Sequence, residues 1–293
     1  MRGHLLALVA ITIWSLTYIQ TKILLIYLDP IEILMVRFSL AWVILWIIYP
    51  RRTPFIPKDE IWFALAGLSG IFGYYVLENF ALIHTTAINV GLLVTLAPLL
   101  TLLIGSIMHH TPLTHKALIG AMIAFIGVLI LVFDRLSLPK TGDILALMGA
   151  VSFAVYSIVL GHIPSHYHYL AVTRKSIFYG LLLLWIFWSG FYSGSFHLHA
   201  YTHSTVLINL GTLTLLASVG AFILWRRAVM LIGSTRTSNY IYLVPLINTT
   251  ASVWVLNEPF GWRIIAASVL ILGGMIIANR RAYRTRGQTH RES

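Results

Sequence analysis

Ten apolar runs, each about the length that crosses a bilayer as a helix, follow one another along this 293-residue chain and leave little of it for anything else. Pro, Gly and polar punctuation sets them at 4–25, 30–49, 60–83, 86–108, 115–133, 143–162, 168–190, 205–230, 235–256 and 260–279. Backbone polar groups in hydrocarbon must be satisfied within the span, so such runs predict an all-α integral membrane protein with ten transmembrane helices. Only 10% of the residues are charged, against about 25% in an ordinary soluble domain, and the mean hydropathy is +0.85. The first run contains Trp14, Tyr18 and Gln20 and leads directly into the second run rather than to a small-residue cleavage site. It reads as a retained helix.

The formal charge of +11 is scattered between spans and in the tail "NRRAYRTRGQTHR" instead of on one soluble face, so a nucleic-acid partner is not expected. With a cytoplasmic amino terminus, the inside segments hold Arg2, Arg51, Arg52, Lys58, Lys116, Arg174, Lys175, Arg226, Arg227, Arg236, Arg280, Arg281, Arg284, Arg286 and Arg291. Lys22, Arg37, Arg135, Lys140 and Arg263 are left outside or in outer halves. The positive-inside rule then puts both termini in the cytoplasm of a multi-pass protein of the bacterial inner membrane. The chain has no cysteine, which excludes disulfides and thiolate metal sites.

The chain repeats itself. "ALIHTTAINVGLLVTLAPLLT" pairs with "AVMLIGSTRTSNYIYLVPLIN" at an offset of about 147, so that Ala81 meets Ala228, Pro98 meets Pro245 and Gly127 meets Gly274. Upstream, "GHLLALVAITIWS" pairs with "GDILALMGAVSFA" at an offset of about 139. Two units follow, 1–137 and 138–280, each with five spans, and a basic tail at 281–293. Five is odd, so the second unit enters the membrane upside down relative to the first. Two inverted five-helix repeats enclosing a midplane site form the plan of many secondary transporters.

These motifs, with "LNEPFGWRIIAASVLILGGMIIA", resemble the two EamA repeats of the drug/metabolite transporter superfamily over nearly the whole chain. One departure stands out. The Glu that ends the fourth span of a repeat is Glu258 in the second copy but Thr111 in the first, so a role needing both glutamates is not expected. The resemblance implies a ten-helix bundle with a central cavity lined by the first, third and fourth spans of each repeat. It also implies that the fifth and tenth spans pack at the periphery, where a second protomer could form a homodimer. Substrates of the superfamily include amino acids, small cations, metabolites and nucleotide sugars.

"GYYVLENFALIH" sets a carboxylate inside a span. Tyr75, Glu78 and Asn79 share one helix face, and a buried charge in hydrocarbon needs a partner, a cavity or a proton. Glu78, Lys22 and Arg37 lie about 8, 5 and 12 Å below the outer ends of their spans at about 1.5 Å per residue. Glu78 is therefore either a substrate or proton site, or half of a static pair with Lys22 or Arg37. Its repeat counterpart is Trp225, so the carboxylate belongs to one half only. Trp14, near mid-span, and Tyr156 are suited to stacking on a substrate, and Tyr18, one turn beyond Trp14, either joins them or anchors the interface. Asn89, Thr95, Asn239 and Tyr242, with Asn248, could grip a substrate or bond helix to helix. Pro98 and Pro245 each remove a backbone donor and are candidate hinges. Glu258 is expected to cap the helix that starts at Pro259. Arg226, Arg227 and Arg236 read as orienting charges or an anion-attracting vestibule. The histidine groups His109/His110/His115, His162/His166/His168 and His197/His199/His203 lack companion ligands, so no metal is expected.

No Walker-type phosphate loop is present, so ATP does not drive the protein directly, and no cofactor is implied. The reading is a secondary transporter, working as an exporter of a small metabolite such as an amino acid or organic cation by alternating access. It would run on the substrate gradient or on coupling to protons or a counter-solute. The alternatives are a membrane enzyme or an accessory subunit handling a lipid-linked or nucleotide-sugar substrate. The first of these would need a converging set of catalytic groups that the sequence does not display.

Overall fold

The computed structural model describes residues 1–108, 110, 113–133, 140–233, 237 and 239–279. Among them every regular element is helical. The spans are α1 (Arg2–Leu24), α2 (Pro30–Ile48), α3 (Pro57–His84), α4 (Ala87–Met108), α5 (His115–Val132), α6 (Thr141–His162), α7 (Tyr169–Phe191), α8 (Ser204–Ile232), α9 (Tyr240–Leu256) and α10 (Trp262–Asn279). The first eight are long and apolar enough to cross a membrane, and α9 and α10 are shorter apolar helices. Thr111, His109, Arg236 and the tail 281–293 lie outside the described residues, as do the side chains of Arg226 and Asn239.

Local chemistry starts the helices where the punctuation predicts. Asp29 accepts the Ile31 N–H at 2.9 Å, Glu32 reaches back to the Asp29 N–H, and Pro30 occupies the first turn of α2. Thr86 and Thr114 cap α4 and α5 by accepting the N–H of Asn89 and Ala117.

Two irregularities recur in both halves. The third span of each widens into a π-helical turn, Gly67–Gly73 in α3 and Leu213–Gly220 in α8, and the offset of 147 superposes the two closing glycines. A π turn disturbs the backbone ladder, and in hydrocarbon its polar atoms still need partners. The Ser69 carbonyl accepts Ser152 Oγ of α6 at 2.8 Å, and the Ala217 carbonyl accepts Trp14 Nε1 of α1 at 3.2 Å. Each π segment is thus bonded by a side chain from the opposite half. The fourth span of each half is also interrupted just before its proline. Helix α4 breaks at Thr95–Leu96 and resumes at Ala97, and α9 begins as a 3-10 turn, Asn239–Leu243, before Val244–Leu256. Pro98 and Pro245 therefore sit in first turns, where a missing N–H costs least, rather than mid-helix as the span limits suggested.

The main packing is between halves, and it comes in matched pairs. Helix α1 packs on α8 and α9, and α6 packs on α3 and α4; α2 lies on the π turn of α8, and α7 on that of α3. Helices α5 and α10 pack most extensively of all, against each other. Lipid supplies no hydrophobic drive for such contact, so close backbone approach must, and Gly120 and Gly274 provide it. The outward faces carry exposed Met122, Phe125, Trp185, Trp254 and Val269, as expected of lipid-facing surface.

Charged residues fasten the ends of the bundle. Arg174, 3% exposed, donates to the carbonyls of Tyr49 and Arg51 and stacks over Trp46. Lys175 and Tyr179 both meet Glu60. Tyr167 donates to Asp59 at 2.7 Å; burial first, and that hydrogen bond second, push its phenol up to about 12. At the other end Glu32 accepts His197 and Tyr201, and Asp29 accepts Tyr192. The remaining described loop histidines mostly rest on aromatic rings: His162 on Trp62, His168 on Tyr49 and His203 against Tyr27.

Candidate functional site

At the centre of the bundle lies a cavity of about 170 Å3, below the roughly 300–1,000 Å3 of drug-sized pockets. Its walls are mainly aromatic and aliphatic: Trp14, Tyr18, Tyr74, Tyr75, Phe153 and Tyr156 supply most of the rings. The lining comes from α1, α3 and α4 and from α6, α8 and α9, the first, third and fourth spans of each half, with one addition, Arg37 from α2. The repeat offsets match wall residue to wall residue. Trp14 corresponds to Phe153, Thr17 to Tyr156, Tyr75 to Phe222, Val94 to Ile241 and Ala97 to Val244, and all ten line the cavity.

The rings are fixed by what surrounds them. Trp14 meets Phe222 at 5.2 Å and Trp225 at 5.4 Å between centroids, in addition to its bond to Ala217. Tyr74 packs edge-on against Tyr75 and Phe153, and its hydroxyl lies 3.5 Å from that of Tyr18. Tyr156 rests on Gly70, where a Cβ would lie 2.3 Å from the ring, so the π turn of α3 needs glycine at that point. Thr17 and Thr95 direct their hydroxyls back to the Trp14 and Gly91 carbonyls of their own helices.

Arg37 is 1% exposed. Its Nε donates to Ser218 Oγ at 2.8 Å, and the guanidinium carbon lies 4.8 Å from the Tyr75 ring centroid and 5.1 Å from that of Phe38. Among the described residues no carboxylate approaches it within ion-pair distance. Glu78 is equally buried but is not part of the wall. It lies next to Tyr74 and Tyr18, which do line the cavity, and its Oε1 makes no hydrogen bond. Neither static pair considered for Glu78 forms as a direct contact: Lys22 pairs with Glu258 at 3.1 Å, and Arg37 Nε bonds Ser218, although the Arg37 charge is still felt at Glu78, which bonds Tyr74.

The other sequence candidates divide. Trp14, Tyr18, Tyr75, Thr95, Tyr156 and the hinge candidate Pro98 meet at the cavity. Asn79, expected there with Glu78, instead donates to the Pro30 carbonyl at 2.9 Å and ties α3 to the start of α2. Asn89 donates to Asp143 at 3.0 Å at the far end of the bundle, away from the wall. Tyr242 is partly buried against the core, beside the lining residue Ile241, and Pro245 opens the helical part of α9 behind Val244. Asn248 donates to the Ala87 carbonyl and packs against Gly91. Glu258 does not cap its own helix: its two oxygens accept the N–H groups of Ala87 and Ile88 at the start of α4, in the other half. A carboxylate at an exposed helix start is favourable in either place, and the fold brings α4 to it.

Sequence reading passed over Tyr74, Phe153, Phe222 and Asp143, and considered Arg37 only as a partner for Glu78, not as a wall residue. Phe153 and Phe222 had a signal, since the repeat offsets carry Trp14 and Tyr75 onto them. The signal for Arg37 was its depth as a charge inside a span, but the second span was not expected to reach the cavity.

The EamA-like transporter family model matches residues 1–133 and again 140–280. An uncharacterized transporter of Archaeoglobus fulgidus is 27% identical, over 97% of this chain and 99% of its own. A protein of Escherichia coli K12 described as a probable amino-acid metabolite efflux pump is 26% identical over 94% of each chain. One crystal structure superposes with a TM-score of 0.63 over 97% of this chain and 98% of its own, at 20% identity, a likeness of fold. Two family matches that together span nearly all of the chain, on an all-helical bundle with a cavity shared by both copies, place it: this protein belongs to the EamA-like transporter family.

Proposed function

We propose that the chain is a secondary transporter that exports a small metabolite, such as an amino acid or an organic cation, by alternating access through the central cavity. The observation that carries this is the repeat-matched wall. Five pairs of equivalent residues from the two halves face one small cavity. If the repeats, 1–137 and 138–280, are inverted, such a wall can be offered in turn to each side by exchanging the conformations of the two halves. The description of the E. coli relative as a probable amino-acid metabolite efflux pump supports the amino-acid part of that range. In this reading Trp14, Tyr18, Tyr75, Thr95, Tyr156 and Tyr242 contact the substrate, and Pro98 and Pro245 bend. Glu78 exchanges a proton with the transport cycle behind the Tyr18–Tyr74 pair. The protein sits in the bacterial inner membrane with both termini cytoplasmic.

The test is reconstitution. Proteoliposomes preloaded with an unlabelled amino acid or organic cation should accumulate the labelled compound by exchange. Absence of exchange across a panel spanning both classes, by protein shown to be folded, would overturn the transporter reading.

A further inference from the structure

We propose that the cavity selects substrates that carry a carboxylate, held by Arg37, on a small aromatic or apolar body that stacks among Trp14, Tyr75, Phe153 and Tyr156. The proposal rests on the transporter reading of the same cavity and narrows it, because it excludes simple organic cations.

The first support is the inventory of polar groups in the wall. Thr17 and Thr95 donate to carbonyls of their own helices, and Trp14 Nε1 donates to Ala217. Tyr74 is engaged with Glu78 and Tyr18, and Arg37 uses Nε on Ser218 and meets the Tyr75 hydroxyl, which still leaves part of its five-donor guanidinium for a ligand. A wall of this kind accepts an anion. Among the described residues Arg37 is also the one charged residue that lines the cavity, whereas Glu78, the carboxylate that could have drawn in an ammonium group, lies outside the wall. A cation entering would face the guanidinium directly, at low dielectric, with Glu78 set behind the lining tyrosines.

The second support is that a buried guanidinium with no carboxylate in direct contact among the described residues is costly in hydrocarbon, and the structure keeps this one oriented. Ser218 lies in the π turn of α8, and the Phe38 and Tyr75 rings flank the guanidinium. Planar, fork-shaped donors match a carboxylate edge on. A monoanion balances one guanidinium; a phosphate ester would bring further charge with no second cation among the described residues of the wall. The position equivalent to Arg37 in the second half is Ser176, so the anchor is single and gives the substrate one orientation.

The experiment measures binding and flux separately on the full-length protein. Binding of 3-phenylpropionate, L-phenylalanine and phenethylamine is followed by quenching of intrinsic tryptophan fluorescence in nanodiscs, for the parent, Arg37→Gln and Arg37→Lys. The acid and the amino acid should bind and the amine should not. Arg37→Gln should weaken both carboxylates by roughly thirty-fold or more, and Arg37→Lys by less, as removal of one partner of a buried charge pair predicts. Parent protein that binds the amine as tightly as the acid, or binds neither carboxylate, overturns the proposal whatever the variants do. So does an acid affinity that changes less than threefold in folded Arg37→Gln. Flux of the same compounds in proteoliposomes addresses the underlying reading. Carboxylate binding without flux of any compound leaves the Arg37 site standing and sinks transport, whereas flux of the amine alone keeps transport and sinks the Arg37 site.

Discussion

Lys22 Nζ stands 3.1 Å from Glu258 Oε1, joining α1 of the first half to the end of α9 in the second. The same carboxylate accepts two backbone N–H groups at the start of α4, and Lys22 also donates to the Thr85 carbonyl one residue before that helix cap. Beside it Asp143 of α6 accepts Thr85 and Asn89. One end of the bundle is therefore closed by charges that belong to both halves.

This closure predicts unequal effects of its two partners. Glu258→Ala leaves two helix-terminal donors and Lys22 without their acceptor and is expected to cost about 2–4 kcal/mol. Lys22→Ala leaves the helix cap in place and is expected to cost about 1 kcal/mol. Thermal unfolding in detergent measures both; equal losses would show that the ion pair, not the cap, holds the seam.

Neighbouring glycines in α10 make a sharper contrast. A Cβ on Gly274 would lie 2.4 Å from the Gly120 carbonyl oxygen and 2.5 Å from the Ala124 nitrogen, backbone atoms that cannot yield without separating α5 from α10. A Cβ on Gly273 meets nothing within 4 Å. Gly274→Ala should therefore destabilise by about 3 kcal/mol, at the upper end of overpacking costs, and Gly273→Ala should be neutral or slightly stabilising. The melting temperatures of the two single variants decide it.

The π turns give a third expectation. Trp14→Phe keeps an aromatic ring at the cavity but removes the donor to Ala217, and Ser152→Ala removes the donor to Ser69. Each should cost about 1 kcal/mol, the scale of interhelical hydrogen bonds in membranes. The sites lie in different helix pairs, so the double variant should lose close to the sum. A double variant as stable as either single one would show that the π turns do not depend on these donors.

Pro98 and Pro245 bear on the transport cycle. Restoring an N–H by Pro98→Ala lets α4 close its break at Thr95–Leu96 into a continuous helix. If the break is a bending point, stability should hold or rise while exchange in proteoliposomes slows by several-fold or more. An unchanged exchange rate would identify the break as a fixed kink.

Glu78→Gln separates coupling from binding. Because Glu78 lies outside the wall, the variant should keep carboxylate affinity within about threefold. Flux should no longer respond to an imposed proton gradient. If both affinity and the response to the gradient stay at parental values, Glu78 has no part in the cycle.

Much of the architecture was legible in the chain itself. The lengths of the apolar runs, the Asp29–Pro30 and Thr86 starts and the twofold recurrence of the motifs around Pro98 and Pro245 are local signals, set by bilayer thickness, capping chemistry and duplication. They located the described ends of the ten spans to within a few residues, the expected start of α9 lying outside the described residues, and put Trp14, Tyr18, Tyr75, Thr95 and Tyr156 forward as cavity residues. Applied one step further, the repeat offsets would have added Phe153 and Phe222.

Which polar side chain met which was a different matter. Helical periodicity places Tyr75, Glu78 and Asn79 on one face, yet Tyr75 lines the cavity, Asn79 bonds the Pro30 carbonyl and Glu78 stays behind the tyrosines. Glu258 was expected at its own helix and caps α4; Lys22 and Arg37 were both within reach of Glu78 by depth alone and found other partners. A hydrophobicity pattern records how deep a residue lies and roughly which face it shares. It does not record the rotation of that face towards a neighbour, which is settled by close approaches such as Gly120 on Gly274 and by the π turns that re-aim α3 and α8. The sequence alone thus determined the spans, the duplication and most of the aromatic wall. Only the packed bundle decided that Arg37 brings a charge to that wall, because that choice depends on contacts between helices far apart in the chain.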